Sequence, residues 1–241
     1  MELAGKTILI TGASQGIGRY LATYFAPKAG CIFLAARNEA GLRQTADMVA
    51  RAGGRGLLQP CDLRLPHTLE QLAAAVQREV GAVDILINNA GDLTSKPLLE
   101  SSLEDIDHMI RTNVIGCLQL CRQLIPAMMS RPEAMIVNIS SLAGYKPNPA
   151  QTAYSVSKRA VNGISDALRA ELKGSHIRVM NVGLCSIDFE GPLPRGHFLV
   201  QDFARKLERA IERNAPELFM SPVTKWIMRL YALFPSLMHL R

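Results

Sequence analysis

Tryptophan occurs once in the 241 residues, and all aromatics together make up 5%. Nucleic-acid binding surfaces interleave aromatic platforms with banked cations, so this chain's net charge of +6, spread along its length, reads as a solvated basic surface. No nucleic-acid partner is predicted. Phosphate-bearing ligands and anionic membranes are the partners such a surface favours. Uninterrupted apolar runs of roughly 18 residues, the length that spans a bilayer, are missing. The start, MELAGKTILITG, lacks a charged leader followed by an apolar run and a small-residue cleavage site. Cysteine is sparse: Cys31, Cys61, Cys117, Cys121 and Cys185 are odd in number and form no CxxC pair, which predicts reduced thiols rather than a disulfide framework. Cys117 and Cys121 fall on one helix face, but no histidine or third cysteine stands at ligand spacing, so no metal site is predicted. These absences together predict a cytoplasmic protein.

What is present is a chain 48% hydrophobic, long enough to close one large core, which predicts a single domain over residues 1–241. The apolar runs KTILIT, CIFLAA, RGLLQP, VDILIN, AMIVNIS and IRVMNVG are each too continuously apolar for a half-wetted antiparallel sheet. Helical patterns such as GRYLATYF, EAGLRQTADMVAR, HTLEQLAAAVQREV and the long LEDIDHMIRTNVIGCLQLCRQLIPAMMS separate them. Strand and helix in alternation predict an α/β fold with a doubly wound parallel sheet of Rossmann type, binding its ligand at the carboxyl ends of the strands. Beyond Gly183 the pattern changes. A substrate loop is predicted over about 184–215, with an amphipathic helix in QDFARKLERAIERN. An apolar segment punctuated by basic residues follows over about 216–241. It is predicted to pack on the sheet or on a second copy, with peripheral membrane contact as the alternative.

The first strand runs directly into Gly12-Ala13-Ser14-Gln15-Gly16-Ile17-Gly18, and a helix opens where the glycines stop. A pyrophosphate needs a tight turn, a backbone without Cβ atoms in the way, and free N–H groups at the positive end of a helix dipole. Gly12, Ser14, Gln15, Gly16, Ile17 and Gly18 are therefore predicted to hold a dinucleotide, with the spacing GxxxGxG in place of GxGxxG. The second strand ends in Ala35-Ala36-Arg37-Asn38. A carboxylate there would bind the ribose hydroxyls of NAD, whereas Arg37 suits a 2′-phosphate, so NADP(H) is expected over NAD(H). Asp62, followed by Leu63 at the end of the third strand, either accepts from the adenine amino group or caps the next turn.

Tyr154 and Lys158 stand four apart at the start of a helical pattern and share a face. An ammonium beside a phenol is expected to stabilise phenolate, lowering the tyrosine pKa and making it a usable acid or base for a carbonyl or carbinol oxygen. Ser141, thirteen residues earlier on the loop after the fifth strand, is placed to hold the same oxygen. With Asn88-Asn89-Ala90-Gly91, Asn113, Ser141 and Tyr154-Ser155-Val156-Ser157-Lys158 in order behind the glycine loop, the chain resembles the short-chain dehydrogenase/reductase family to about Gly183. That resemblance implies Ser141, Tyr154, Lys158 and Asn113 as catalytic, with Asn113 fixing a water that relays protons to the lysine. It implies Leu63, Asn89, Ala90, Gly91 and Ile187 as further cofactor contacts, beside Tyr154 and Lys158 themselves. It also implies a homodimer or homotetramer through the helices of Asn113 and Tyr154, whose outward apolar residues are expected to include Leu118, Leu124, Ile164 and Leu168. The implied activity is NADP(H)-dependent hydride transfer between the nicotinamide and a carbonyl or secondary alcohol. Reduction of a 3-oxoacyl or other apolar ketone is the expected direction, with Phe189, Leu193, Phe198 and Leu199 in the substrate loop. The alternative is a non-catalytic dinucleotide-binding scaffold or redox sensor.

One stretch departs from the family pattern. In NVGLCSIDFE, Leu184-Cys185 falls where Pro-Gly is usual and Phe189 near the usual threonine, so a different local turn is expected, with Ser186 or Asp188 supplying the polar contact.

Overall fold

The computed structural model describes residues 1–190 and 196–234. Six largely apolar runs, buried except for the half-buried third, form the strands β1 (Thr7–Thr11), β2 (Cys31–Ala36), β3 (Gly56–Pro60), β4 (Ile85–Asn88), β5 (Ala134–Ile139) and β6 (Ile177–Gly183). Between them lie the helices α1 (Gly16–Phe25), α2 (Glu39–Arg51), α3 (Pro66–Val80), α4 (Leu103–Ile110), α5 (Gly116–Met128) and α6 (Thr152–Glu171). After β6 come two short strands, β7 (Ile187–Asp188) and β8 (Phe198–Leu199), then α7 (Val200–Glu212), β9 (Glu217–Phe219) and α8 (Pro222–Leu233).

The main sheet has seven parallel strands in the order β3-β2-β1-β4-β5-β6-β9, and β7 pairs with β8 apart from it. Parallel strands need a crossover on every connection, and the helices that provide them cover both faces. Leu21 and Phe25 of α1, Leu42 and Val49 of α2, and Phe203 and Leu207 of α7 close one core. On the opposite face Leu69 and Leu72 of α3, Leu120 and Leu124 of α5, and Ile164 and Leu168 of α6 close the other. This is the doubly wound Rossmann fold. Strand order reverses between β1 and β4, which opens a crevice at their carboxyl ends.

Local chemistry sets the helix starts. Asn38 caps α2 by accepting from the Gly41 amide at 3.0 Å, Ser102 and Asp105 form a reciprocal capping box on α4, and proline opens α3 and α8. The helix read as one long element from Leu103 is continuous but holds a π-helical turn over Arg111–Ile115, between α4 and α5. The seventh strand, β9, lies in the segment read as an apolar tail. Three residues are too few to carry a strand's periodicity, and β9 exists because β6 offers it an edge. A second correction concerns the expected outward faces. Leu124, Ile164 and Leu168 are buried in the core of the single chain, and of the four residues named only Leu118 is exposed.

Candidate active site

The crevice is tied together by Thr11. Its hydroxyl accepts from the Asn89 and Ala90 amides, both at 3.0 Å, and its carbonyl accepts from Asn89 Nδ2 at 2.8 Å. The end of β4 is thus pulled against the glycine turn so closely that a Cβ on Gly12 would lie 2.9 Å from Ala90 Cα. A Cβ on Gly18 would come within 2.6 Å of Asn89 Nδ2. Gly16, with φ 55°, adopts the left-handed turn that glycine alone takes freely, and a Cβ there would meet nothing within 4 Å. The α1 start has no side-chain cap and no acidic residue in its first turn, which leaves its amides and dipole to an anion. These features fit a dinucleotide pyrophosphate.

The chain also clamps this turn from behind. Arg19 donates to the Ser14 carbonyl, to Thr45 Oγ1 at 3.1 Å and to Gln44 Oε1 at 3.2 Å, while Thr45 donates to the Ala13 carbonyl at 2.9 Å. Neither Arg19 nor Thr45 shows any motif spacing. On the adenosine side Arg37 is exposed, and among the described residues it has no hydrogen-bond or ion-pair partner. Asp62 caps the turn that follows it: it accepts from the Arg64 amide at 3.0 Å and from the Arg64 guanidinium at 2.6 to 3.1 Å. That guanidinium holds the Asp62 carboxyl below its ordinary pKa. Leu63 is buried, with its carbonyl against Gly116 where a Cβ would lie 2.5 Å away.

Ser141 follows β5 and caps a short turn, its Oγ accepting from the Ala143 amide at 3.1 Å. That turn rests directly on α6. A Cβ on Gly144 would stand 2.7 Å from the Lys158 carbonyl and 2.9 Å from Asn162 Nδ2. The contact brings the serine to the helix that carries Tyr154 and Lys158. The neighbouring Ser140 is fully engaged, its one hydroxyl proton lying between Asn162 Oδ1, 2.6 Å from Oγ, and the Lys158 carbonyl at 3.1 Å.

Lys158 is buried, and its Nζ donates to the Ile139 carbonyl at 2.9 Å and lies 5.8 Å from the Tyr154 ring centroid. Burial lowers the lysine pKa to about 8. Burial also raises that of Tyr154, opposed by hydrogen bonding with Ser141. The expected lowering of the phenol pKa is thus corrected: the ammonium is turned to a backbone carbonyl, and desolvation outweighs the rest. Asn113 lies in the π turn, and its side chain bridges the Asp92 backbone and Ser157. Oδ1 accepts from the Asp92 amide at 2.7 Å, and Nδ2 donates to the Asp92 carbonyl at 3.1 Å and to Ser157 Oγ at 3.0 Å. A Cβ on Gly91 would lie 3.4 Å from Asn113 Oδ1 and 3.5 Å from Lys158 Nζ, so these three residues meet. Beside them is a cavity of about 10 Å³ lined by Thr11, Asn88, Asn113, Cys117 and Lys158 among others, the size of a single water.

Beneath the site runs a buried polar chain. Asn88, Asn138 and Asn181 occupy matching register on β4, β5 and β6. Asn88 donates to Asn138, Asn138 to Ser165, and Asn181 to Asn162, the partner of Ser140. The departure at Leu184-Cys185 has a local reason. Leu184 is buried in the core and its carbonyl accepts from the Leu142 amide at 2.9 Å, so the turn is anchored by packing rather than by a proline ring. Asp188 is turned to His197, 2.7 Å from Nδ1, and the Ser186 carbonyl accepts from the Phe198 amide at 3.1 Å. Ile187 and Phe198 pair and are half-buried, Phe189 is exposed, and Leu193 lies outside the described residues.

Residues 6–190 match the family described as short chain dehydrogenase. The ketoacyl reductase HetN of Nostoc sp. is 34% identical over 239 residues, 95% of this chain and 83% of that protein. A short chain dehydrogenase/reductase from Burkholderia phymatum, solved in complex with NAD, superposes with a TM-score of 0.87 at 25% identity, covering 98% of this chain and 96% of that one. A variant of actinorhodin polyketide ketoreductase, solved with NADPH, superposes with a TM-score of 0.73 at 33% identity over 76% of this chain and 71% of that one. The chain belongs to the short-chain dehydrogenase/reductase family, and it is an oxidoreductase that binds a nicotinamide dinucleotide.

Proposed function

We propose that the protein is a cytoplasmic, homo-oligomeric, NADP(H)-dependent ketone reductase acting on 3-oxoacyl or similarly apolar carbonyl compounds. The observation that carries this reading is the meeting of Ser141, Tyr154 and the buried Lys158 beside the glycine turn. When bound, the dinucleotide supplies or accepts the hydride at the carbonyl carbon. The chain supplies the proton and the orientation. A phenol whose pKa burial holds high is protonated at neutral pH, ready to donate to an oxygen that becomes an alkoxide. Ser141 Oγ, set by its turn, holds the same oxygen by a second hydrogen bond. Lys158 places positive charge behind the phenol, and Asn113 holds the Asp92 backbone and Ser157, fixing the wall around the ammonium.

Arg37 supports the preference for NADP(H): an exposed guanidinium at the end of β2, without a partner among the described residues, suits a phosphate better than a ribose diol. The ketone class is supported by the similarity to a ketoacyl reductase and a polyketide ketoreductase, and by the apolar Phe189 and Phe198 on the substrate side. The test is a panel of ketones assayed by NADPH and NADH oxidation. Turnover of 3-oxoacyl thioesters with NADPH is expected, and absence of ketone-dependent oxidation with either cofactor would support the scaffold alternative.

A further inference from the structure

Helix α8 turns its apolar side to water. Val223, Trp226, Leu230 and Leu233 are 66%, 69%, 49% and 73% exposed, and Ile227 and Phe234 are exposed as well. At 100° per residue the five of these within the helix fall in an arc of about 120°, and Phe234 follows its last turn. Met228, on the far side, is the only buried residue of the helix. A contiguous apolar face on a helix at the surface marks a surface that something covers.

The charges say what covers it. Residues 218–241 contain no Asp or Glu, while Lys225, Arg229 and Arg241 are basic. Arg229 borders the apolar arc, Lys225 lies one turn before it and further round the helix, and Glu217, the acid that meets them, is already shared between Lys225 at 3.4 Å and Arg229 at 2.8 Å. An isologous contact with a second copy would set these cations against their own counterparts, with no spare carboxylate on the segment to match them. An anionic bilayer complements both the apolar arc and its basic flank. Trp226 and Tyr231 add rings with a polar edge, of the kind that settle at headgroup level.

Position gives the contact a use. β9 ends at the carboxyl edge of the sheet and leads into α8, and Lys146, on the loop after Ser141, lies 5.1 Å from the Tyr231 ring centroid. The same loop meets the segment after Gly91 through Ser95 Oγ and the Ala150 carbonyl at 3.5 Å. That segment carries the exposed Leu93, Leu98 and Leu99. We propose that α8 is a membrane-docking helix lying in the headgroup plane of an anionic bilayer, with its apolar arc toward the acyl chains and the mouth of the site beside the lipid surface. No helix of the described residues is long and apolar enough to cross a membrane, so the contact is in-plane. The docking is independent of the reductase reading, since its readout is binding.

Trp226 is the sole tryptophan, so the chain carries its own reporter within the proposed contact. The experiment mixes the full chain with vesicles of phosphatidylcholine and phosphatidylglycerol in equal parts, or of phosphatidylcholine alone, and reads co-sedimentation and tryptophan emission. Co-sedimentation with the anionic vesicles, a blue-shifted emission and release by salt are expected. Leu230→Gln, at a position half open to water, is expected to keep the fold by circular dichroism and to weaken the anionic partitioning about tenfold. A second variant, Lys225→Gln with Arg229→Gln, is expected to lose the preference for anionic over neutral vesicles. Protein remaining in the supernatant with unshifted emission would overturn the proposal. So would a dimer in light scattering that Leu230→Gln converts to monomer without any vesicle binding, which would give the face to a second copy.

Discussion

At the scale of single residues, the buried Lys158 is the group with most at stake. Its pKa of about 8, against 10.5 in the unfolded chain, means that between these two values the unfolded chain holds a proton that the folded chain has given up. More protons on the unfolded side make stability rise with pH through that window, so the cost of the buried ammonium is present in full below pH 8. Lys158→Met removes that cost while leaving the Ile139 carbonyl without its donor. Urea unfolding at pH 7 is expected to show the variant about 1–2 kcal/mol more stable, and inactive, with the difference shrinking toward pH 10. A less stable variant whose difference does not change with pH would contradict this. In the proposed reading Arg37 bears on cofactor choice alone. Arg37→Ala is expected to lower kcat/KM for NADPH by about 10–100-fold, the worth of a charge-assisted contact, and to leave NADH within about twofold. Equal losses with both cofactors would remove Arg37 from phosphate recognition. Tyr154, Lys158 and Ser141 were legible because their spacing lies within one helix and its preceding loop. Arg64 was not, because its bidentate hold on Asp62 depends on a backbone turn that composition does not announce.

At the scale of elements, the turn between β1 and α1 works because two strand ends share it. Gly18→Ala would push a methyl to within 2.6 Å of Asn89 Nδ2, which is held by the Thr11 carbonyl, and onto the Gly12 carbonyl. Calorimetry is expected to show a lowered melting temperature and loss of the stabilisation that NADPH gives the wild type. An unchanged NADPH-induced shift would mean that the turn is not the pyrophosphate site. The polar chain beneath the site makes a second element-level statement. Asn138→Leu leaves Asn88 and Ser165 buried without their partner, so a loss of about 2–4 kcal/mol in urea unfolding is expected, where a surface amide would cost almost nothing. The strands were legible as apolar runs, and their parallel pairing followed from the crossover lengths. The matched register of Asn88, Asn138 and Asn181 was not, because it joins positions dozens of residues apart that only pairing brings level. The short β9 escaped for the reason already given, and the π turn at Asn113 because i+5 bonding leaves no distinct apolar period.

At the scale of the molecule, a fold with ligands at the carboxyl ends of its strands gathers its working parts on one side. The glycine turn, the Ser141 loop, the β7–β8 pair and the start of α8 all stand there, so the proposed cofactor site, proton donor and lipid contact share one face. The opposite ends of the sheet hold connecting turns, with Lys6 paired to Asp84 and Glu133. This arrangement makes the central claim simple to address, because Tyr154 is the one group through which the proposed chemistry passes its proton. The measurement is the rate of NADPH oxidation at saturating 3-oxoacyl thioester, for the wild type and for Tyr154→Phe, with NADPH binding followed in parallel. The account predicts turnover by the wild type and a fall of about 10²–10⁴-fold in the variant with NADPH binding retained. Equal rates in the two proteins, or no ketone-dependent oxidation by the wild type, would contradict it.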